Sequence, residues 1–135
     1  MAIFIRLMQN KMREGKGFNK WYAKSVNMGE VGTNELARII ERNTTFKQGE
    51  IKGLITELVA EMKEQLAEGK TVVLDDFGRF SLTVESEGAE TREKFDLRRN
   101  IKSIKCRFRA AGRRDPYKHT ITEVFAEGVD VKKDE

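Results

Sequence analysis

Residues 71–80 read Thr-Val-Val-Leu-Asp-Asp-Phe-Gly-Arg-Phe, and the fold predicted for this chain is organised around them. The run Val72–Leu74 is apolar and largely β-branched, which predicts a short strand. Two aspartates and a glycine follow it, a composition typical of a tight turn. A second strand is predicted at Ser81–Glu85, with Leu82 and Val84 on one side. The stretch therefore predicts a strand, a turn and a returning strand.

Two helices are predicted before this stretch. Thr33 is a suitable N-cap for a helix that runs to about Asn43 and buries Leu36, Ile39 and Ile40. A longer helix, from about Lys47 to Glu68, has the clearest three- and four-residue periodicity of the chain. Its apolar face is wider than one short helix can cover, so we expect a dimer. The predicted core and dimer positions on this helix are Ile51, Leu54, Ile55, Leu58, Met62 and Leu66.

Both ends of the longer helix carry sequence signals. Thr45 and Gln48 fit a capping box at its start, and Gly69 fits the position just past its end. Gly49 and Gly53 each cost the helix roughly 1 kcal/mol relative to alanine. Either glycine would allow the shorter helix to pack closely.

A strand predicted at Ile101–Arg109 alternates strictly between apolar and basic residues. Successive side chains of a strand point to opposite faces, so one face is expected to pack on the helices. The other carries cations about 6.5–7 Å apart, close to the spacing of successive phosphates along a nucleic-acid strand. An ordinary solvated sheet face is the alternative, but such faces usually mix charges of both signs. The apolar series is Ile104, Cys106 and Phe108, and the basic series is Lys105, Arg107 and Arg109.

The charge of the chain is unevenly distributed. The formal net charge is +4, but the segment from Arg92 to Lys118 contains eleven Lys/Arg residues and three acids. That segment carries +8, so the remaining residues carry −4. Such asymmetry predicts a polyanionic partner that is bound by one region of the protein.

The composition disfavours several functional classes. One cysteine, Cys106, allows neither an internal disulfide nor a cysteine-based zinc site, and one histidine, His119, disfavours a Ser-His-Asp triad. We expect Cys106 to face the core and His119 to lie at the surface. Asp75-Asp76 is predicted to be a solvated turn rather than a metal or acid–base pair. No phosphate-cradling glycine loop is present, so we expect no enzyme, cofactor, metal or small-molecule substrate.

The two ends of the chain carry weaker signals. Residues 2–8 and Trp21–Val26 predict an antiparallel strand pair. The apolar run near the N-terminus is too short for a signal peptide or a membrane span, so a cytoplasmic protein is expected. Asp115-Pro116 is typical of a helix start, whereas Thr120–Thr122 favours a strand. The predicted organisation is a β extension at 1–30, one domain at 31–127 and a flexible tail at 128–135.

The run from Thr33 to about Gly112 resembles the bacterial HU/integration host factor family of histone-like proteins. The correspondences are the short helix Thr-Asn-Glu-Leu-Ala-Arg-Ile-Ile, a long helix ending Leu-Ala-Glu-Gly-Lys, and the strand Val-Val-Leu. The family turn typically reads Gly-Phe-Gly-x-Phe, and here Asp76 stands in place of its first glycine. Phe77 and Phe108 are 31 positions apart, close to the family's spacing between this turn and the segment that closes its arm. The first 30 residues look like an addition found in a longer, divergent branch.

The resemblance implies an α+β, IHF-like fold in which two helices precede a β-sheet with an extended hairpin arm at about residues 82–104. It also implies an intertwined dimer whose two arms reach round double-stranded DNA and occupy the minor groove. Phe77, Phe80 and Phe108 would belong to the core or the dimer interface. Together with the basic segment, it gives these candidate DNA-binding residues: Arg79, Arg92, Lys94, Arg98, Arg99, Lys102, Lys105, Arg107, Arg109, Arg113 and Arg114.

The departures from the family pattern concern the arm. No proline lies between Phe80 and Asp115, so the proline wedge of the family's arm tip is absent. Spacing puts the tip near Arg92–Phe95, where Phe95 is either an apolar wedge or a residue packed within the hairpin. The first strand of the arm is acidic, since it carries Glu85, Glu87 and Glu90.

The leading hypothesis is therefore a sequence-tolerant, architectural DNA-binding homodimer associated with the bacterial nucleoid. The alternative is a structural or protein-interaction module that keeps the HU-like fold without bending DNA. The acidic arm strand and the missing proline favour that alternative. RNA is a third partner that the charge pattern leaves open.

Overall fold

The computed structural model describes residues 1–12, 15–118 and 120–134, and it divides the chain into two compact units. Unit 1 comprises Met1–Gly32 and Ala126–Glu135, and unit 2 comprises Thr33–Phe125. The predictions for His119 and for the last residue of the tail lie outside the described residues. Within the described part, none of the helices has the length and hydropathy that a membrane crossing requires.

Unit 1 is a three-stranded sheet. Strand β1 (Ala2–Gln9) lies at its centre and pairs antiparallel with β2 (Trp21–Ser25), as the sequence predicts. On its other side β1 pairs parallel with β8 (Asp130–Lys133). The expectation of a flexible tail therefore does not hold for residues 130–133, because these residues form a strand that is hydrogen-bonded to β1. An ion pair of 2.9 Å between the Arg6 guanidinium and the Asp134 carboxylate adds to this pairing.

Unit 2 begins with two helices that pack on each other. Helix α1 spans Thr33–Asn43 and helix α2 spans Gln48–Ala67, which confirms both predicted helices. The two helices contact each other, and Ala37 of α1 is fully buried. A Cβ atom added at Gly49 or Gly53 would meet nothing within 4 Å, so these glycines do not mediate the approach predicted for them.

The caps of α2 differ at the two ends. The predicted capping box at Thr45 is wrong, because the N-cap is Lys47, whose backbone N–H donates to the Glu50 carboxylate at 3.1 Å. The predicted C-terminal glycine is confirmed. Gly69 has a φ of +83°, its N–H donates to the Leu66 carbonyl, and the next N–H donates to the Gln65 carbonyl. These bonds satisfy carbonyls that the end of the helix leaves without partners.

The sheet of unit 2 has the strand order β3-β4-β5, with β3 at Val72–Leu74, β4 at Gly78–Ser86 and β5 at Ile101–Ala110. Neighbouring strands are antiparallel. Asp76, in the turn between β3 and β4, has a left-handed φ of +59°. Aspartate tolerates this conformation better than most residues, which explains how it replaces glycine there.

The hairpin of β4 and β5 is closed by residues 87–100, which we call the closing loop. It contains the short helix α3 (Leu97–Asn100) and a turn at residues 92–94, where the tip is predicted. Asn100 fastens the loop, since its amide donates to the Glu87 carbonyl and its own carbonyl accepts from the Glu87 N–H. The paired strands are thus shorter than the extended arm predicted at about 82–104, because residues 87–100 fold back on themselves.

A second, smaller hairpin follows β5. It joins β6 (Gly112–Arg114) to β7 (Ile121–Glu123), and a 3-10 turn at Val124–Ala126 comes next. Of the two alternatives for this region, a helix after Asp115-Pro116 or a strand at Thr120–Thr122, the strand is observed, and it includes residues 121 and 122. The hairpin is anchored to the larger sheet, because the Val124 N–H donates to the Ala111 carbonyl and the Ala111 N–H donates to the Phe77 carbonyl.

Four phenylalanines connect the elements of unit 2. Phe80 and Phe108 lie opposite each other on β4 and β5, with ring centroids 4.8 Å apart. Phe77 contacts both rings and also meets Phe125 edge-on at 5.4 Å. The cluster joins the turn before β4, the antiparallel pair of β4 and β5, which we call the ribbon, and the residues that follow the second hairpin.

Much of the predicted core is only partly covered by the chain itself. Of the α2 positions, Ile51 and Leu66 are buried as predicted, and Ile55 and Met62 are half-buried. The expectation that the helices cover the apolar face of β5 is wrong, and Cys106 on that face is exposed. The reason is that α2 contacts the sheet mainly at β3 and β4. Large apolar side chains that remain exposed include Leu36, Ile39, Ile40, Leu54, Leu58, Phe77, Leu82, Val84, Ile104 and Phe108.

Candidate nucleic-acid interface

The register of β4 and β5 puts polar residues opposite polar residues. Arg79 pairs with Arg109, Ser81 with Arg107, and Thr83 with Lys105. Residues that face each other across an antiparallel pair project from the same side of the sheet. These six side chains therefore form one surface, which we call the basic face. The predicted separation of cations from the apolar series of β5 is confirmed.

A carboxylate neutralises one end of the basic face. The Lys105 ammonium lies 2.8 Å from the Glu85 carboxylate, which also accepts a 3.0 Å hydrogen bond from the Ser103 hydroxyl. The bond from Lys105, that from Ser103 and the field of Arg107 together hold the pKa of Glu85 below its ordinary value of 4.5. Lys105 is therefore occupied by a partner within its own sheet.

The three arginines at the other end form no such pair. Within the described residues, Arg79, Arg107 and Arg109 make no ion pair with a carboxylate. They line a shallow pocket of about 360 Å³ together with Thr71, Ser81 and Thr83. Guanidinium and hydroxyl groups are donors that suit the oxygens of a phosphate. Like charges that face each other across strands destabilise a sheet unless an anion lies between them.

The closing loop carries as many acids as cations. Its cations are Arg92, Lys94, Arg98 and Arg99, and its acids are Glu87, Glu90, Glu93 and Asp96. Lys94 pairs with Glu90 at 3.3 Å and Arg99 pairs with Asp96 at 3.4 Å. Lys102, where the register of β4 and β5 shifts, pairs with Glu87 at 3.0 Å. The basic segment of the sequence is therefore not one continuous surface.

The apex of this loop exposes a different apolar side chain from the predicted one. Phe95, the candidate wedge, is 38% exposed, whereas Leu97 is 75% exposed. Asp96, between them, holds the local backbone, since its carboxylate accepts from the Arg98 N–H at 2.8 Å. The apolar character of Leu97 was visible in the sequence, but its exposure depends on the short helix that follows Asp96.

The remaining two candidates lie on the smaller hairpin. Arg113 and Arg114 belong to β6, opposite Thr122 and Ile121 respectively. A pocket of about 420 Å³ is lined by Arg79 and Arg109 from the basic face, by Asp75 and Asp76 of the turn before β4, and by Gly112 at the start of β6. The hairpin therefore begins at the edge of the basic face. Elsewhere in the described residues, no group of three or more His, Cys, Asp or Glu side chains is arranged to hold a metal ion.

Residues 1–114 match the family model HU-HIG, described as "HU domain fused to wHTH, Ig, or Glycine-rich motif". The chain belongs to this family. No curated protein sequence matches it.

Solved structures share this fold. One of them is the crystal structure of a "Putative bacterial DNA binding protein" from Bacteroides vulgatus, with a TM-score of 0.63 and 14% sequence identity. The similarity covers 99% of this chain and 50% of that one. The chain thus spans about half the length of this relative.

Proposed function

We propose that this protein is a sequence-tolerant, architectural DNA-binding protein that holds double-stranded DNA on its basic face. The observation that carries the proposal is the cluster of Arg79, Arg107 and Arg109, which lack carboxylate partners within the described residues. Cations that gain no internal partner are free to replace the counterions of a phosphate backbone. The family assignment and the description of the related structure add support. The proposed role is binding rather than catalysis, at the bacterial nucleoid in the cytoplasm.

We further propose that the protein acts as an intertwined homodimer with an IHF-like arrangement. The chain of 15.5 kDa exposes 12330 Å², whereas a compact folded chain of this mass exposes about 7,200 Å². Even two separately compact units of these sizes would expose only about 8,600 Å² in total. The excess includes the apolar positions of α1, α2 and the ribbon, which a second copy would cover. A measured solution mass of twice the chain mass is the expected result.

The binding proposal is tested by a charge-matched pair of triple variants. One variant replaces Arg79, Arg107 and Arg109 by Gln, and the control replaces Lys94, Arg99 and Lys102, which are ion-paired. Both lose three positive charges. We expect the first to lower affinity for a random-sequence duplex at least tenfold, and the slope of log K against log salt to fall by about 0.9 per lost phosphate contact. In the control variant, we expect a much smaller loss of affinity and a much smaller change in the salt slope.

Equal losses in the two variants would contradict the assignment of the site, because only overall charge would then matter. A flat salt response of the unmodified protein would contradict DNA binding itself. Scrambling the duplex sequence should change affinity little, since hydrogen bonds to phosphates carry no sequence information.

One observation favours a second candidate function. The closing loop is neutral overall and two of its four cations pair with acids of the same loop, so it resembles a protein-contact surface more than a DNA-binding tip. A structural or protein-interaction module that does not bend DNA would have this property. Measuring the end-to-end distance of a doubly labelled duplex separates the candidates, since a bent duplex shortens on binding and an unbent one does not.

A further inference from the structure

We propose that the tip of the smaller hairpin, residues 115–118, is a second nucleic-acid contact, at which the Tyr117 ring stacks on an unpaired base. This inference rests on the proposed DNA-binding function and extends it to single-stranded segments. Tyr117 is 92% exposed and is the most exposed aromatic side chain of the described residues. A tyrosine offers an apolar ring and a polar hydroxyl, a combination that suits contacts which are partly open to water.

The tip holds Tyr117 in a defined position. The Asp115 carboxylate accepts hydrogen bonds from the Tyr117 N–H at 2.8 Å and the Lys118 N–H at 3.2 Å. The Asp115 N–H donates to the Thr120 carbonyl at 2.9 Å, which closes the turn. Pro116 fixes one more backbone torsion. A contact that is ordered before binding loses little conformational entropy on binding.

The hairpin below the tip is also held in place. A Cβ atom at Gly112 would lie 2.6 Å from the Ile121 side chain, so the two strands approach closely at their base. The Phe125 ring, which follows β7, packs edge-on against Phe77 of the larger sheet. The tip is therefore carried by a hairpin that is braced against the ribbon.

The charge around Tyr117 favours a nucleic acid over a protein. Residues 112–123 carry Arg113, Arg114 and Lys118 against two acids, Asp115 and Glu123. One oxygen of the Asp115 carboxylate already accepts from two backbone N–H groups, so this acid serves the turn. Cations beside an exposed aromatic ring are the combination with which proteins hold single strands, the ring taking the base and the cations the phosphates.

The smaller hairpin begins near two arginines of the basic face. The pocket that contains Gly112 is lined by Arg79 and Arg109 and also by Asp75 and Asp76, so cations and acids lie together at the foot of the hairpin. Bases within an intact duplex are stacked on each other and offer their edges, not their faces. The ligand expected at Tyr117 is therefore a nucleotide whose base is unpaired.

The test measures binding of a fluorescently labelled single strand of about 12 nucleotides. We expect Tyr117→Ala to weaken this binding about tenfold, within the range that removal of one base-stacking aromatic produces. Tyr117→Phe should bind as the unmodified protein does, because the ring and not the hydroxyl makes the contact. The matched control is Leu97→Ala, which removes the exposed apolar side chain of the closing loop and should change nothing.

Salt dependence separates stacking from charge. Tyr117→Ala should leave the slope of log K against log salt unchanged, whereas Lys118→Gln should lower it by about 0.7, the value for one contact to a single strand. A 2-aminopurine base in the strand should lose fluorescence on binding to the unmodified protein and not to Tyr117→Ala. Unchanged affinity of Tyr117→Ala would overturn the proposal and indicate a protein contact at the tip.

Failure of this inference is distinguishable from failure of the proposed function. If duplex DNA binds and depends on Arg79, Arg107 and Arg109 while Tyr117→Ala has no effect on either ligand, only the second contact is wrong. If neither duplex nor single strand binds the unmodified protein, both proposals are wrong.

Discussion

Arg79 of β4 and Arg109 of β5 face each other directly across the ribbon, on the side that carries Arg107. Two like charges at this position oppose folding, and no carboxylate of the described residues neutralises them. A sheet built for stability alone would place an acid beside these cations, as it places Glu85 diagonally across from Lys105. The pair is therefore best explained by an anion that the folded protein binds.

Replacing Arg109 by Gln should separate binding from stability. The variant removes a like-charge pair, so we expect its free energy of unfolding to stay the same or rise by up to roughly 0.5 kcal/mol. Its DNA affinity should fall several-fold because a phosphate contact is lost. Urea unfolding and duplex titration measure the two effects. Arg99→Gln, in the closing loop, serves as the control for charge alone, and a clear loss of stability in Arg109→Gln would contradict the interpretation.

Glu85 gives a prediction for pH dependence. Its carboxyl has a lowered pKa in the folded protein, so its ion pair contributes stability fully above the ordinary value of 4.5 and loses it as the pH falls through the lower folded value. Glu85→Gln lacks this contribution. The difference in melting temperature between the two proteins should therefore be constant above pH 4.5 and shrink below it.

The same substitution should strengthen DNA binding at neutral pH. Glu85→Gln releases the Lys105 ammonium and removes a negative charge beside Arg107, so affinity is expected to rise a few-fold at low salt. Weaker binding of this variant would show that the acid positions Lys105 rather than masking it.

Gly78 is a position where any side chain should be harmful. It is buried at the start of β4, and an added Cβ would lie 2.4 Å from the Arg109 carbonyl oxygen and 2.5 Å from the Phe108 ring. We expect Gly78→Ala to destabilise the protein by roughly 1–3 kcal/mol through overpacking. Gly88→Ala, whose Cβ would meet nothing within 4 Å, is the control and should be nearly neutral. Equal stability of both variants would show that β4 shifts freely.

Gly53 offers the opposite prediction. It lies inside α2 with open space around its Cα, so Gly53→Ala should raise the free energy of unfolding by about 0.5–1 kcal/mol. Thermal or urea unfolding measures this gain. A loss of stability that depends on protein concentration would instead place a second subunit close to Gly53.

The sequence predicts elements whose signals are local or regular, and it misses those that depend on distant partners. The periodicity of α2 and the alternation of β5 fix both elements to within a residue or two. The capping box at Thr45 was a false signal, because the neighbouring Thr44 hydroxyl donates to the Ile40 carbonyl at the end of α1 and the second helix starts later. Strand β8 has one clearly apolar residue, Val131, and its partner lies at the other end of the chain.

The candidate site follows the same rule. That Lys105, Arg107 and Arg109 share a face follows from alternation alone. The neutralisation of Lys105 by Glu85 requires the register of two strands, and the folding of the closing loop requires the bonds that Asn100 makes. No local sequence pattern reveals that the Tyr117 ring is exposed at the tip of a hairpin.

The parallel pairing of β1 with β8 has a consequence for the newly made chain. Arg6 and its partner Asp134 are 128 positions apart, whereas the helices and the ribbon of unit 2 close from segments that lie much nearer to each other. On the ribosome, unit 2 is therefore able to fold first. The backbone groups on one edge of β1 lack their β8 partners until residues 130–133 have been synthesised. Translation that stops before that point leaves a strand edge open to pairing with other chains.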